Sequence, residues 1–399
     1  MRDIYLDNSA TTPICEEAKK KMLEAMECFG NPSSLHKKGF ESSKLIDEAR
    51  TKVLNSLFVR GGKAENLVFT SSGTEADNLA LTGVAYAKTR RASRIITTDS
   101  EHSAIENTLK ELENDGFEII RLSTKGGVID IEEFKSVMNK NTLLVSIMHV
   151  NNETGAVYNI KECFKIAKQV NPDVVTHTDA VQSYMKVKVS PSDLCSDLIT
   201  VSAHKIHGPK GIGALYISPE VIKKKQIKPI IYGGGQEFGF RSGTENLIGI
   251  AGFGAAAERG FKNLSKDVTS MRELRAYALD KLSTLDVRVN LPKGECAPHV
   301  INITLPSIKS ETMLHHLSAK GIYVSSGSAC SSNSATKKIS RALRGFGLSD
   351  FDADCSMRIS FSPFNTKDDV DELIVSTLIL RKYCISLSVA TVPTETLKP

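Results

Sequence analysis

Short apolar runs alternate with stretches of helical spacing along most of this chain. Residues 67–70 read as a strand, and a helix is expected over about 75–87. Runs at 94–97, 118–122 and 143–148 each precede a helical pattern, at about 104–115, 131–138 and 160–170. Further runs at 174–178, 198–201 and 213–217 bring the series to seven. Short β-rich runs set between helices predict an α/β fold, its mostly parallel seven-stranded sheet covered by helices on both faces.

The pattern changes after about residue 255. A long helical stretch at 271–282 contains no Gly or Pro. It is followed by strands at 300–305, 322–325 and 357–361, alternating with helices near 312–320 and 367–381, the pattern of a smaller α+β domain. The stretch 15–60 is helical, interrupted at 30–34. The expected organisation is an N-terminal arm, 1–15, joining the small domain; a large domain, 16–255; a small domain, 256–385; and a polar tail, 386–399, predicted to fray.

Composition narrows the classes. With 41% apolar and 24% charged residues in 399, the chain is not disordered, collagenous or coiled-coil. A net charge of +5 is mild at this size and calls for no direct nucleic-acid partner. No apolar run approaches the ~20 residues that span a bilayer, so no membrane partner is expected. The N-terminus lacks the apolar core of a signal peptide. Eight cysteines are scattered, none at CxxC spacing, which predicts reduced cytoplasmic thiols and no intrinsic metal site.

In open α/β sheets, ligands bind beyond the carboxyl ends of the strands. Four such ends carry chemistry here. After 67–70 come Ser71, Ser72, Gly73 and Thr74, small residues opening a helix; this is an anion site or an ordinary capping box. Asp179 follows 174–178, as a helix cap or as the partner of a buried cation. Lys205 follows 198–201 in a Gly/Pro-rich loop, where a desolvated amine becomes nucleophilic. His102 follows 94–98 and is placed to stack on a planar ring or to move protons. Singly, each has a plain structural explanation. Together they form the set that pyridoxal 5′-phosphate requires: a lysine for its aldehyde, an acid for its ring nitrogen and donors for its phosphate. In the smaller domain, Cys330 lies in a Ser/Gly-rich stretch and is the best reactive thiol of the eight, while Arg358 is a lone charge in a strand pattern, suited to a carboxylate.

With these residues in view, the chain resembles fold type I pyridoxal-phosphate enzymes of the class V aminotransferase-like group, and within them cysteine desulfurases of the NifS/IscS type. The segments that carry the resemblance are 5–13, 30–36, 70–75, 148–155, 179–182, 202–205, 233–237, 241–246 and 325–330, in order from Ile4 to about Phe364. The resemblance implies that Lys205 holds the cofactor and moves protons, Asp179 pairs with its ring nitrogen and His102 stacks on the ring. It implies that Asn152 and Gln182 touch ring substituents, and that Gly73, Thr74, Ser202 and His204 bind the phosphate. Thr244 is expected to reach the phosphate of a partner subunit, which implies a homodimer. Arg358, with Asn152, is expected to bind the substrate, and Cys330 to take its sulfur.

The implied reaction converts L-cysteine to L-alanine and leaves a persulfide on Cys330. The sulfur then passes to an acceptor protein, an iron–sulfur scaffold or a tRNA sulfurtransferase, and Cys330 could transiently share an iron–sulfur cluster with a scaffold. Two related activities remain open: selenocysteine lyase, which uses the same site, and a class V aminotransferase, which needs Lys205 and Asp179 but not Cys330. Ser72 stands where Gly is common in this group, Phe238 where Arg is, and Met185 where Gly is.

Overall fold

The structure is a computed structural model that describes residues 2–59, 61–88, 93–306, 308–326 and 339–390. Cys330 lies outside the described residues.

A seven-stranded sheet runs in the order Leu67–Thr70, Gly213–Ile217, Leu198–Ser202, Val175–Asp179, Thr142–Ser146, Arg94–Thr98, Glu118–Leu122. Gly213–Ile217 is antiparallel to both neighbours, and the other pairs are parallel. Five of its strands are buried along their whole length because both faces are covered. Successive side chains go to opposite cores: Ile96, Val145 and Ile199 to one, Ile95, Leu144 and Leu198 to the other. The carboxyl ends of the parallel strands open on one edge, where the loops carrying His102, Asn152, Asp179 and Lys205 begin.

A second sheet pairs Ser325–Ser326, Ser356–Ser360, Val300–Thr304 and Arg288–Val289, all antiparallel. A third core packs Ile301, Met357 and Ile359 against Leu274 and Leu6. The N-terminal strand Ile4–Tyr5 pairs in parallel with Ile322–Tyr323, and Ser360 donates its N–H to the Leu6 carbonyl at 2.7 Å. These bonds lay residues 7–10 across the ends of both sheets.

One element departs from the sequence pattern. The helix expected at 271–282 runs over Leu247–Ser283, 37 residues, and so crosses position 255 without a break. Its first half reads as broken because of Gly249, Gly252, Gly254 and Gly260. Packing selects those glycines. A Cβ at Gly254 would sit 2.6 Å from the Cα of Ala49 on the helix Lys37–Ser56, and one at Gly252 would sit 2.7 Å from Met22 Cγ. The two neighbouring helices approach too closely there for a side chain, and this outweighs the propensity loss of about 1 kcal/mol per glycine. The last helix, Lys367–Ala390, extends into the stretch read as a tail. Among the described residues, no helix is long and apolar enough to cross a membrane.

Candidate active site

A cavity of about 370 Å³ opens where the strand ends of the large sheet meet the Ser325–Ser326 and Ser356–Ser360 strands. It is in the size range of small-molecule sites. Lys205, Asp179, His102, Asn152, Gln182, Gly73, Thr74, Ser202, His204 and Arg358 all line it. Residues 73 to 358 thus converge, although their sequence spacing spans most of the chain. Thr244 is exposed and does not line the cavity.

Lys205 ends a short 3₁₀ turn, Ala203–Lys205, directly after the strand Leu198–Ser202. Its Nζ donates to the Ser9 carbonyl at 2.5 Å and the Ala10 carbonyl at 2.7 Å. Its own carbonyl accepts from Lys186 Nζ at 2.8 Å. Lys186 is buried, and burial followed by the Lys205 charge pushes its amine down to about 7. Neither the Ser9 and Ala10 carbonyls nor Lys186 stood out in the sequence. A main-chain acceptor has no residue signature, and a lysine that alternates with Val187 and Lys188 reads as surface.

Asp179 ends its strand, 6% exposed, and accepts the Val181 N–H at 2.9 Å. Burial raises its carboxyl, and the His102 and Lys205 charges oppose that. The carboxylate is therefore held in a dry site that favours a cationic partner. His102 caps the helix Ser103–Asn114, its Nδ1 accepting the Ala104 N–H at 3.2 Å. That bond leaves the proton on Nε2, and burial lowers the imidazole below its ordinary value. Gln182 is oriented by a bond from Nε2 to the Ser9 carbonyl at 2.8 Å.

The opposite end of the cavity suits an anion. The helix Gly73–Lys88 begins there, and its first N–H groups have no carbonyl within the helix. A Cβ at Gly73 would stand 2.9 Å from Val181 Cγ2, so only glycine leaves the space open. Ser202 Oγ is buried without a hydrogen-bond partner, a donor awaiting an acceptor. His204, lowered to about 4 by burial first, sets its Nδ1 3.2 Å from Thr11 Oγ1. Ser72 is accommodated: its Oγ accepts the Glu75 N–H at 3.1 Å.

On the far wall, Arg358 is 5% exposed. Its Nη2 bonds Asp7 Oδ1 at 2.7 Å, its Nη1 bonds the Asn152 carbonyl at 2.9 Å, and its Nε is buried without a partner among the described residues. Phe238 lies over a different cation: the Arg50 guanidinium sits 5.0 Å from its ring and 4.8 Å from that of Phe69. Arg50 makes a double hydrogen bond to Glu237, each at 2.8 Å.

A lysine, a buried acid, an imidazole and an anion cradle thus share one cavity, a set that a pyridine aldehyde phosphate would fit. The family described as aminotransferase class-V matches residues 4–373. Cysteine desulfurase IscS of Dictyoglomus turgidum is 40% identical over 374 residues, covering 93% of this chain and 92% of the relative. Among solved structures, one named NifS-like protein matches with a TM-score of 0.88 and 34% identity, covering 96% of this chain and all of that one. Another, SspA in complex with cysteine, matches with a TM-score of 0.77 and 31% identity, over 91% of this chain and 99% of that one.

Proposed function

The chain belongs to the class V aminotransferase family, and from that premise we propose that it is a pyridoxal 5′-phosphate-dependent cysteine desulfurase taking sulfur from L-cysteine onto Cys330. The observation that carries this reading is the convergence of Lys205, Asp179, His102 and the buried, unpartnered Ser202 hydroxyl on one cavity with Arg358 across from them.

Lys205 would hold the cofactor aldehyde, Asp179 its ring nitrogen, and Gly73, Thr74, Ser202 and His204 its phosphate. Bound there, pyridoxal phosphate supplies an electron sink that loosens the bonds around the substrate's α-carbon. The chain's own groups do the rest. The unpartnered Nε of Arg358 meets the substrate carboxylate, with Asp7 and the Asn152 carbonyl fixing the guanidinium plane. The Lys205 amine, which would hold the cofactor aldehyde, would also move the proton at Cα of the substrate. His102, neutral with its proton on Nε2, would stack on the ring and serve as a second proton carrier. The Cys330 thiolate takes the sulfur: the carbon–sulfur bond of cysteine breaks, a sulfur–sulfur bond forms on Cys330, and the carbon skeleton takes up protons and leaves as L-alanine.

The reading includes a homodimer. Phe29, Leu35 and Phe40 are 80%, 88% and 61% exposed, an apolar concentration a second copy would cover. Thr244, exposed and outside its own cavity, would then reach the partner's phosphate site. The sulfur acceptor is a second protein, an iron–sulfur scaffold or a tRNA sulfurtransferase. The setting is the cytoplasm, where thiols stay reduced.

The test is mass spectrometry of the cofactor-loaded protein after addition of L-cysteine. One extra sulfur is expected on the peptide holding Cys330, with L-alanine released, and neither in Cys330→Ala. Sulfur found on Cys355 instead, or turnover undiminished in Cys330→Ala, would overturn the reading.

A further inference from the structure

Behind Asp179 lies a polar chain that the reaction above does not use. Asp77, on the helix Gly73–Lys88, is 1% exposed and lines the same cavity. Its Oδ1 has no hydrogen-bond partner. The Thr200 side chain hydrogen-bonds its carboxyl. Thr200 Oγ1 lies 3.1 Å from His177 Nε2, and His177 Nδ1 lies 2.8 Å from Ser146 Oγ. Thr200 and His177 are fully buried, and Ser146 is 1% exposed. All four therefore exchange protons only with one another or with the cavity.

Such a chain satisfies its donors in either of two senses. With Asp77 ionised, Thr200 donates to Asp77, His177 Nε2–H donates to Thr200, and Ser146 donates to His177. With Asp77 protonated, every bond reverses: Asp77 donates to Thr200, Thr200 to His177 Nε2, and His177 Nδ1–H to Ser146. The charges around Asp77 choose between them. Asp179 faces it from the strand Val175–Asp179, and Glu101, 4% exposed, faces it from the loop before His102; both are acids. His177 Nε2 lies 3.7 Å from Asp77 Oδ1. However, both ring nitrogens engage hydroxyls, and burial pushes the ring down to about 3, so it carries no charge. Lys205 Nζ lies on the Ser9 and Ala10 carbonyls, and Arg241 pairs with Glu75, further toward the start of the same helix. Two acids facing each other in a dry site without a dedicated cation do not both ionise. Asp179 holds the better claim to the charge, because it accepts a backbone N–H and has the His102 and Lys205 charges in its favour, while Asp77 has only the Thr200 side chain and its Oδ1 accepts nothing among the described residues.

We infer that Asp77 is a neutral carboxylic acid in the folded protein, a positioning residue that leaves the negative charge of this pair of aspartates on Asp179, for the cofactor ring. The role assigned to the ring rests on the pyridoxal-phosphate reading; the protonation state does not. The proton of Asp77 points along Thr200 and His177 to Ser146, and so fixes the tautomer of His177.

The test labels the full-length chain with carboxyl-¹³C aspartate and records infrared spectra at pH 7 for wild type and Asp77→Asn, with and without cofactor. The expected difference is loss of a protonated aspartyl carbonyl band, with the ionised carboxylate bands unchanged. Loss of carboxylate bands instead would overturn the inference. If Asp77→Asn fails to fold, the labelled wild type decides by itself, and absence of any protonated aspartate band at pH 7 counts against the proposal. The second readout is the pH titration of the cofactor's visible absorbance. Asn is uncharged like a neutral acid, so its midpoint is expected within about 0.3 pH unit of wild type. An ionised Asp77 predicts instead a downward shift of about one unit, because removing a negative charge disfavours the nearby cation. A chain that takes up no cofactor would count against the desulfurase reading while leaving the infrared result intact.

Discussion

Arg358 Nη2 stands 2.7 Å from Asp7 Oδ1, although 351 positions separate the two residues. The contact exists because the strand Ile4–Tyr5 pairs with Ile322–Tyr323, which brings Asp7 to a bridge with Ser360 beside Arg358. Asp7 and the Asn152 carbonyl occupy the two terminal nitrogens of the guanidinium and leave Nε buried without a partner among the described residues. The N-terminal arm therefore orients the Arg358 guanidinium and, through the Ser9 and Ala10 carbonyls, the Lys205 amine.

Arg358→Lys is expected to raise KM for L-cysteine by about 10- to 100-fold with a smaller change in kcat, since a charged hydrogen bond is worth about 1.5–3 kcal/mol and Lys lacks the planar fork. Asp7→Asn leaves a buried guanidinium without its counter-charge. Asp7 is 20% exposed, so water covers part of the loss, and a destabilisation of about 1–3 kcal/mol in urea unfolding is expected. Steady-state kinetics and denaturation on the two variants separate the effects.

Lys205→Ala is expected to keep its fold while retaining no cofactor that borohydride can fix, and to form no alanine. Ser202→Ala removes one hydroxyl from the anion cradle and is expected to weaken cofactor binding about 5-fold, the value of one hydrogen bond near 1 kcal/mol. Fluorescence titration of the unloaded protein with pyridoxal phosphate measures this.

Gly254→Ala should destabilise despite the higher helix propensity of alanine. Its new Cβ meets Ala49 Cα at 2.6 Å and Ala49 Cβ at 2.7 Å, backbone and near-backbone atoms that cannot swing aside. Overpacking of that kind costs about 1–3 kcal/mol against a propensity gain of about 1 kcal/mol, for a net loss of up to about 2 kcal/mol. Thermal unfolding reads the sign directly.

Stability is expected to fall on acidification from pH 6.5 toward 4. Burial pushes His149, His204 and His207 down to about 4 and His177 to about 3. In this window these rings bind protons only in the unfolded chain, so stability rises with pH. Glu101 and Glu153, pushed up by burial to about 8 and 7, act in the opposite sense, since the folded state holds their protons. Raised Asp77 and Asp179 are offset by lowered His102 and His299. The four histidines outnumber the two glutamates, which leaves a slope of at most about 2–3 kcal/mol per pH unit. Melting temperatures at pH 7 and pH 5 check it; a higher value at pH 5 would contradict the assignment.

Local pattern made much of this protein legible. The strands Leu67–Thr70, Glu118–Leu122 and Gly213–Ile217 and the helix Ile160–Val170 coincide with the periodicities that announced them, because alternation and turn residues act over a few positions. Lys205, Asp179 and the Gly73 turn were visible for the same reason: each directly follows an apolar run, and a strand end is where a parallel sheet opens. The helix Leu247–Ser283 was cut short because its glycines answer to Ala49 and Met22 on other helices. Asp7, Lys186 and Asp77 passed as ordinary polar residues. Their meaning depends on burial and on a partner brought in by folding: Arg358 for Asp7, the Lys205 carbonyl for Lys186, Asp179 for Asp77. The amino-acid order by itself determined which groups stand at the strand ends, since backbone geometry propagates locally. Only the closed tertiary structure decided which of those groups are dry, which carry charge and which face one another, because dielectric and distance are properties of the packed whole.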